Sequence, residues 1–282
     1  MTNILKQMSG IANDPYGLMI FTVIIVPLVA VSYKYRFLTN TGLIAATIIG
    51  IILTLFGNIK WFLLLLFFFL CCSIITKFRK EYKRSIGIVD PEGARDWKNV
   101  LANGGIPVIY AILEGFIKGD IITIGFIGAI AIATADTTAT EIGVLSKTPP
   151  RLIINLSRKV PPGYSGGVSL LGTLASILGG LSIGVVAALF NLIQAQPMQI
   201  VILASLTGLL GSLLDSFLGA KFEAKYWCEK CHTYSKYHIH STCGSTAKHV
   251  SGYKFINNHI VNLLSITIGS IVSMILYQLV IF

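Results

Sequence analysis

The sequence predicts an all-α fold, a polytopic membrane bundle of about eight transmembrane helices with a small Cys/His loop near its C-terminal end. Three observations point there. Hydrophobic residues fill 54% of the 282 positions and charged residues only 12%, about half the charged share of a soluble domain. Apolar runs approaching the thickness of a bilayer recur along the chain. The Lys and Arg residues fall on alternate connections between those runs, as expected of a chain that crosses repeatedly.

The first run, Gly17–Ser32, follows the lone base Lys6 and precedes no small-residue cleavage site, so it reads as a retained span rather than a signal peptide. Gly42–Phe56 and Trp61–Ile75 come next; Cys71 and Cys72 close the latter and need no further role. Gly104–Ile117 is short, Gly-rich and interrupted by Pro107, which leaves a half-helix or re-entrant segment open beside a full crossing. Ile121–Ala139, Gly166–Phe190, Gln199–Leu218 and Phe255–Phe282 complete the eight. With this count, one side receives 3 of the 22 basic residues (Lys6, Lys60 and Lys118) and the other receives 19. The positive-inside rule then places both termini outside the cytoplasm and puts the long polar stretches 77–103, 141–165 and 221–254 inside it. No repeat or linker divides the chain, so 1–282 reads as a single transmembrane domain, with 226–250 as a cytoplasmic loop between spans seven and eight. The net charge of +10 follows from topology. Without bases interleaved with stacking aromatics, it does not signal nucleic acid.

The polar residues of the spans gather at one depth. Span five ends in Asp136, Thr137, Thr140 and Glu141, which i, i+4 spacing assigns to one helical face. Span seven carries Asp215 in a stripe with Gly208, Gly211, Ser212 and Gly219, and span eight opens with Asn258, Asn262, Ser265 and Gly269. Span six shows Ser169, Gly172, Thr173, Ser176 and Gly180 on one face, and span four begins at Asn103-Gly104-Gly105. Small-residue stripes usually serve helix packing. Carboxylates are different, because one inside a span costs roughly 2.5–3.5 kcal/mol and normally faces a functional cavity. Asp136, Glu141 and Asp215 are therefore the candidate catalytic and Mg²⁺-binding groups.

Ahead of span six runs R-K-V-P-P-G-Y-S-G-G-V-S, residues 158–169. Its Gly163, Ser165, Gly166, Gly167 and Ser169 can turn main-chain N–H groups toward an anion at a helix start, with Arg158 and Lys159 adding charge. A plain structural turn would use the same residues. Arg95 and Lys98 lie at the same membrane face, where they can meet phosphate or anionic lipid headgroups. Carboxylates for Mg²⁺ together with a backbone cradle for phosphate are the parts of a phosphoryl-transfer site. In that site Thr137, Thr140, Asn103, Asn258 and Asn262 would join the nucleotide-binding groups.

The loop before span eight contains Cys228-x2-Cys231 and His240-x2-Cys243, the spacing of a small zinc knuckle. Three thiolates and one imidazole would close a tetrahedral structural site, with His240 as the fourth ligand and His238 as the second choice. A polar loop merely rich in histidine is the competing reading.

The runs G-A-R-D-W-K-N-V-L-A-N-G-G (93–105), A-D-T-T-A-T-E-I-G (135–143), P-P-G-Y-S-G-G-V-S-L-L-G-T-L-A-S (161–176) and G-S-L-L-D-S-F-L-G-A (211–220) resemble the transmembrane protein 19 family, which includes the chloroplast phytyl-phosphate kinase. N-N-H-I-V-N-L-L-S (257–265) fits as well, and the likeness runs from about residue 90 to the C-terminus. The resemblance implies a kinase using a nucleoside triphosphate, CTP or ATP, to convert a prenyl monophosphate to its diphosphate. Its metal and phosphate positions would be Asp136, Glu141 and Asp215. Where many relatives carry an acid in the 257–262 motif this chain has His259, which leaves Asn258 and Asn262 as the polar groups there. A CTP-dependent enzyme forming a CDP-linked lipid would use similar parts. A transporter of an anionic lipid would instead place its polar groups at the midplane of an inverted repeat. Membrane lipid is the expected surrounding partner, and the oligomeric state is not legible.

Overall fold

The computed structural model describes residues 15–86, 94–240 and 243–281. Lys6, both chain termini, and Gly93 of the first family-like run lie outside them. The helices in order are α1 (Pro15–Lys34), α2 (Asn40–Ile52, extended by a π turn over Leu53–Gly57), α3 (Ile59–Lys77), the short α4 (Lys80–Ser85), α5 (Trp97–Ile117), α6 (Asp120–Gly143), α7 (Leu170–Leu189), α8 (Pro197–Phe222) and α9 (Asn258–Ile281). Among the described residues seven helices are long and apolar enough to cross a bilayer. The shorter apolar run Met19–Lys34 in α1 accompanies them. About eight spanning helices is thus the architecture.

The helices start where local chemistry supplies a cap. The Thr39 hydroxyl accepts from the Gly42 amide at 3.2 Å, and the Asp96 carboxylate accepts from the Asn99 amide at 2.9 Å. Each satisfies one of the orphan donors of a first turn. The fourth span differs from the half-helix alternative. α5 is a continuous 21-residue helix with Pro107 inside it, a substitution that membrane helices tolerate when neighbours cover the freed backbone group.

α6 is the axis of the bundle, with every residue of 122–135 buried. It is surrounded by α5, α7, α8, α9 and α3. The small-residue stripes explain how so many helices approach it. A Cβ on Gly180 would lie 2.6 Å from the Ala204 carbonyl oxygen, and one on Gly211 would lie 2.4 Å from Ile132 Cγ1. These glycines are contact surfaces between backbones, and van der Waals packing of this kind holds helices together in lipid. On the outer faces of α7 and α8, Leu174, Leu178, Ile202 and Leu206 are exposed, as lipid-facing residues should be.

Two small sheets depart from the all-helical expectation. β1 (Arg151–Leu152) lies between β2 (Asn155–Lys159) and β3 (Gly167–Val168), and β4 (Lys225–Cys228) lies between β5 (Thr233–Ser235) and β6 (Lys248–Ser251). All pairings are antiparallel. Their strands are two to five residues long, too short for a two-residue period to stand out in sequence. Both sheets sit at the same end of the bundle. Gly166 packs on Ala220, and Tyr164 meets Tyr234 edge-on with ring centroids 5.0 Å apart. A bridge between Leu38 and Arg95 joins the connection that follows α1 to the residues just before α5. This is the basic, loop-rich end.

Candidate active site

Where α6, α8 and α9 converge at the loop-rich end, the Asp136 and Asp215 carboxylates lie beside each other. Asp215 also accepts from Ser265 Oγ at 2.9 Å, and that hydroxyl lies 3.0 Å from the Asn262 carbonyl oxygen. One turn earlier Asn258 Nδ2 donates to Asn262 Oδ1 at 3.3 Å. The Lys236 ammonium reaches in from the β5 side, donating to Asn258 Oδ1 at 3.2 Å and standing within electrostatic range of both aspartates. Asn262 and Ser265 are buried, while Asp136 and Asp215 keep partial access to solvent. Two carboxylates this close repel unless a proton or a cation sits with them. The donors available around the pair are carboxylate, hydroxyl and amide oxygens, the hard set that suits Mg²⁺.

The 158–169 segment borders this cluster but is only partly an open cradle. Gly166 has φ +82° and packs so closely that a Cβ there would lie 2.3 Å from the Ala220 Cβ. Only glycine meets both conditions. Ser165 Oγ donates to the buried Glu223 carboxylate. The Lys225 ammonium, buried as well, donates to the carbonyl oxygens of Gly219 and Ala220, each at 2.9 Å, and of Glu223 at 3.2 Å. It closes the C-terminus of α8, where a cation is favoured, and burial pushes its pKa below the usual lysine value. The Gly167 amide is spent on the Tyr164 carbonyl at 2.9 Å, and Ser169 caps α7 by accepting from the Gly172 amide at 3.1 Å. Gly163 holds the turn at φ +78°, and Arg158 and Lys159 lie exposed on β2.

The expected trio of acids is a pair. Glu141 Oε2 lies 2.6 Å from the Lys83 ammonium, which is only 2% exposed and also donates to the carbonyls of Ile75 and Thr76. A buried ammonium needs an anion, and this one takes Glu141. Nor do Asp136 and Glu141 share a face, since five residues carry the helix about 140° round from the starting side. Of their neighbours, Thr137 donates to the Ala133 carbonyl at 2.8 Å and Thr140 is exposed.

Arg95 and Asn103 belong to a second place. With Asn99 they form the polar end of an apolar pocket between α1, α2, α3 and α5, walled by Leu28, Leu43, Phe62 and Phe69. Ser32 lines the same pocket with a buried hydroxyl that has no hydrogen-bond partner among the described residues. Arg95 donates to Thr76 Oγ1 at 3.2 Å, and the buried Cys72 has Arg95 and Thr137 of α6 as neighbours. Lys98 is exposed, its ammonium 5.8 Å from the centre of the Trp97 ring.

Lys236, Glu223, Lys225 and Lys83 were not among the residues that the sequence nominated. Lys236 carried no signal of its own, since it sits in a loop whose cysteine spacing dominates the reading. Lys83 finds its partner 58 residues away, beyond any local pattern.

Residues 23–270 match the model of the family described as Integral membrane protein DUF92. The chain is 34% identical over 244 residues to an uncharacterized membrane protein of Methanocaldococcus jannaschii, covering 86% of this chain and 87% of that one. It is 33% identical over 282 residues to Protein PGR of Arabidopsis thaliana, covering 92% of this chain and 96% of PGR. The chloroplastic protein VTE6 of Arabidopsis thaliana is 26% identical over 250 residues, which span 86% of this chain and 66% of VTE6. No solved structure matches the chain.

Proposed function

The chain belongs to the DUF92 family of integral membrane proteins, and we propose that it transfers a phosphoryl group from a nucleoside triphosphate to a prenyl monophosphate. The observation that carries this reading is the meeting of Asp136 and Asp215 from two helices beside Ser265, with the Lys236 charge at their edge. The resemblance to prenyl-phosphate kinases supplies the substrate class. The loop-rich end faces the cytoplasm, where nucleotide is available, and both termini lie outside it; the charge asymmetry of 19 against 3 supports that orientation.

Phosphoryl transfer relies on positioning and charge neutralisation more than on covalent chemistry. A phosphate oxygen of the prenyl monophosphate attacks the γ-phosphorus, the bond from that phosphorus to the β,γ-bridging oxygen breaks, and the nucleoside diphosphate leaves with the electron pair. The acceptor is already anionic near neutral pH, so no strong general base is required. Asp136 and Asp215 are the residues that would hold Mg²⁺, which when bound would supply charge neutralisation for the phosphates. Lys236 faces the same phosphates with a positive charge. Ser265 fixes the orientation of the Asp215 carboxylate, and Asn258 and Asn262 hold Lys236 and Ser265 in register. Ser165 and Gly166 form the wall beside them. Glu141 acts by fixing α4 and the end of α3 through Lys83, outside the metal site. The prenyl chain occupies the apolar pocket, with its phosphate end directed to Arg95, Asn99 and Asn103.

Purified protein incubated with prenyl monophosphates of several lengths and each nucleotide in turn tests the reading. A prenyl diphosphate product that requires Mg²⁺ supports it. A CDP-linked lipid would assign the site to a transferase, and uptake into vesicles without chemistry would assign it to transport.

A further inference from the structure

The segment that delivers Lys236 is a three-stranded ribbon with almost no core of its own. Among its described residues the buried side chains are few, Ala224, Lys225, Cys228, His240 and Ala247, and the Lys225 ammonium is spent on α8. Its remaining cohesion comes from edge-on ring contacts such as Trp227 with Tyr234 at 4.9 Å and Tyr226 with His249 at 5.5 Å. A segment this size usually needs a staple to hold one shape.

The staple is at hand. Cys228 ends β4, Cys231 lies in the turn to β5, and His240 and Cys243 return from the other side of the ribbon. The ligand atoms of these four residues all lie within 4.8 Å of one another. Cys228 Sγ is 3.5 Å from Cys243 Sγ, and His240 Nδ1 is 3.3 Å from the same sulfur. Zn–S bonds of about 2.3 Å and a Zn–N bond of about 2.0 Å at tetrahedral angles place sulfurs about 3.8 Å apart and nitrogen about 3.5 Å from sulfur. The observed separations are a few tenths of an ångström shorter. They are far too long for a disulfide, whose sulfurs sit about 2.05 Å apart. His238, the other nominee, is turned against Tyr226 with ring centroids 5.9 Å apart and does not join the cluster.

The backbone around the four holds them in place independently. The His240 amide donates to the Ser245 carbonyl at 2.9 Å, the Gly244 amide to the His240 carbonyl at 2.8 Å, and the Ala247 amide to the His238 carbonyl at 2.7 Å. The ribbon is tied to the rest of the protein by Tyr164 against Tyr234, by Lys225 on the last carbonyls of α8 and by Lys236 to Asn258.

We propose that Cys228, Cys231, His240 and Cys243 bind one Zn²⁺ in a closed Cys₃His site, and that this metal sets the ribbon so that Lys236 stands over Asp136 and Asp215. Four protein ligands leave no open position, so the zinc is structural and takes no part in the chemistry. Binding takes the three cysteines as thiolates and releases their protons. The metal-binding half stands on the ribbon alone; the positioning half rests on reading the aspartate pair as the active site.

The full chain, purified in detergent without chelator, is the test material. Elemental analysis should find one zinc per chain. Exchange with Co²⁺ should give the intense visible bands and near-ultraviolet thiolate charge transfer of a tetrahedral sulfur-rich site. Cys231→Ser and His240→Ala should lose the metal, while Cys71→Ser, Lys236→Met and Asp136→Asn should keep it. A wild-type chain that binds neither metal, or a Cys71→Ser variant that loses it, overturns the site. Positioning is read separately by cross-linking a Lys236→Cys, Asn258→Cys variant with a short bismaleimide. The yield should fall several-fold once zinc is stripped, and an unchanged yield would overturn the positioning claim while leaving the metal site intact. Since Asp136→Asn should keep its zinc, failure of the kinase reading is visible apart from failure of this one.

Discussion

Lys236 donates to the Asn258 side-chain oxygen at 3.2 Å, and through that contact a charge from the ribbon meets the first turn of α9 beside Asp136 and Asp215. The relationship is specific to a lysine of this reach. Lys236→Met keeps the length and removes the charge, and it should lower turnover by about 10- to 100-fold, the usual range for losing one charge-stabilising contact. Steady-state kinetics on detergent-purified protein, with zinc content as the integrity check, measures it.

Lys83 and Glu141 predict a different pattern. Glu141→Gln leaves a buried ammonium without its anion and should destabilise the protein by about 3 kcal/mol, seen as a lower thermal midpoint in detergent. Adding Lys83→Met removes the stranded charge and should recover much of that loss. Activity below the unfolding transition should recover with it. If Glu141 were instead a metal ligand, the second substitution would restore stability and leave activity low.

The wall of the site predicts a steric effect. Gly166→Ala combines φ +82° with a contact of 2.3 Å to Ala220, and should cost about 1–3 kcal/mol together with a drop in activity as the loop shifts. Gly105 has nothing within 4 Å of a Cβ position. Gly105→Ala should be neutral or stabilising, because alanine is the better helix former by about 1 kcal/mol. Thermal midpoints of the two variants, measured side by side, decide this.

The apolar pocket predicts chain-length selectivity. Ala46→Phe fills space between α2 and the Phe62–Phe69 wall and should raise KM for long prenyl monophosphates more than for short ones, with kcat little changed. An equal effect on all lengths would show that the tail lies elsewhere.

Much of this arrangement could be read from the residues. Apolar runs and alternating charge locate the helices, because lipid leaves backbone polar groups no partner except within a helix. Asp136 and Asp215 stood out because a carboxylate in a span is costly. Pro107 suggested a break that the packed helix absorbs. Glu141 was drawn to the aspartates by closeness in sequence, when its partner Lys83 comes from a separate helix. Lys236 was hidden inside a cysteine pattern, and its role emerges only when the ribbon folds back over α9. Glu141, Glu223 and Lys236 find their partners 58, 58 and 22 residues away, where local spacing carries no information.

The aspartate pair is the centre of the account, and the Asp136→Asn, Asp215→Asn double variant tests it most directly. Asparagine keeps shape and much of the hydrogen bonding, so the protein should remain monodisperse and retain its zinc. Each lost carboxylate removes about 3 kcal/mol of transition-state stabilisation, near 100-fold in rate. Lys60→Ala, a base at the opposite end of the bundle, is the matched control and should be close to wild type. The measurement is conversion of prenyl monophosphate to diphosphate at saturating nucleotide and Mg²⁺. The account predicts that the double variant's turnover falls by more than two orders of magnitude, and near-normal turnover in a well-folded double variant would contradict it.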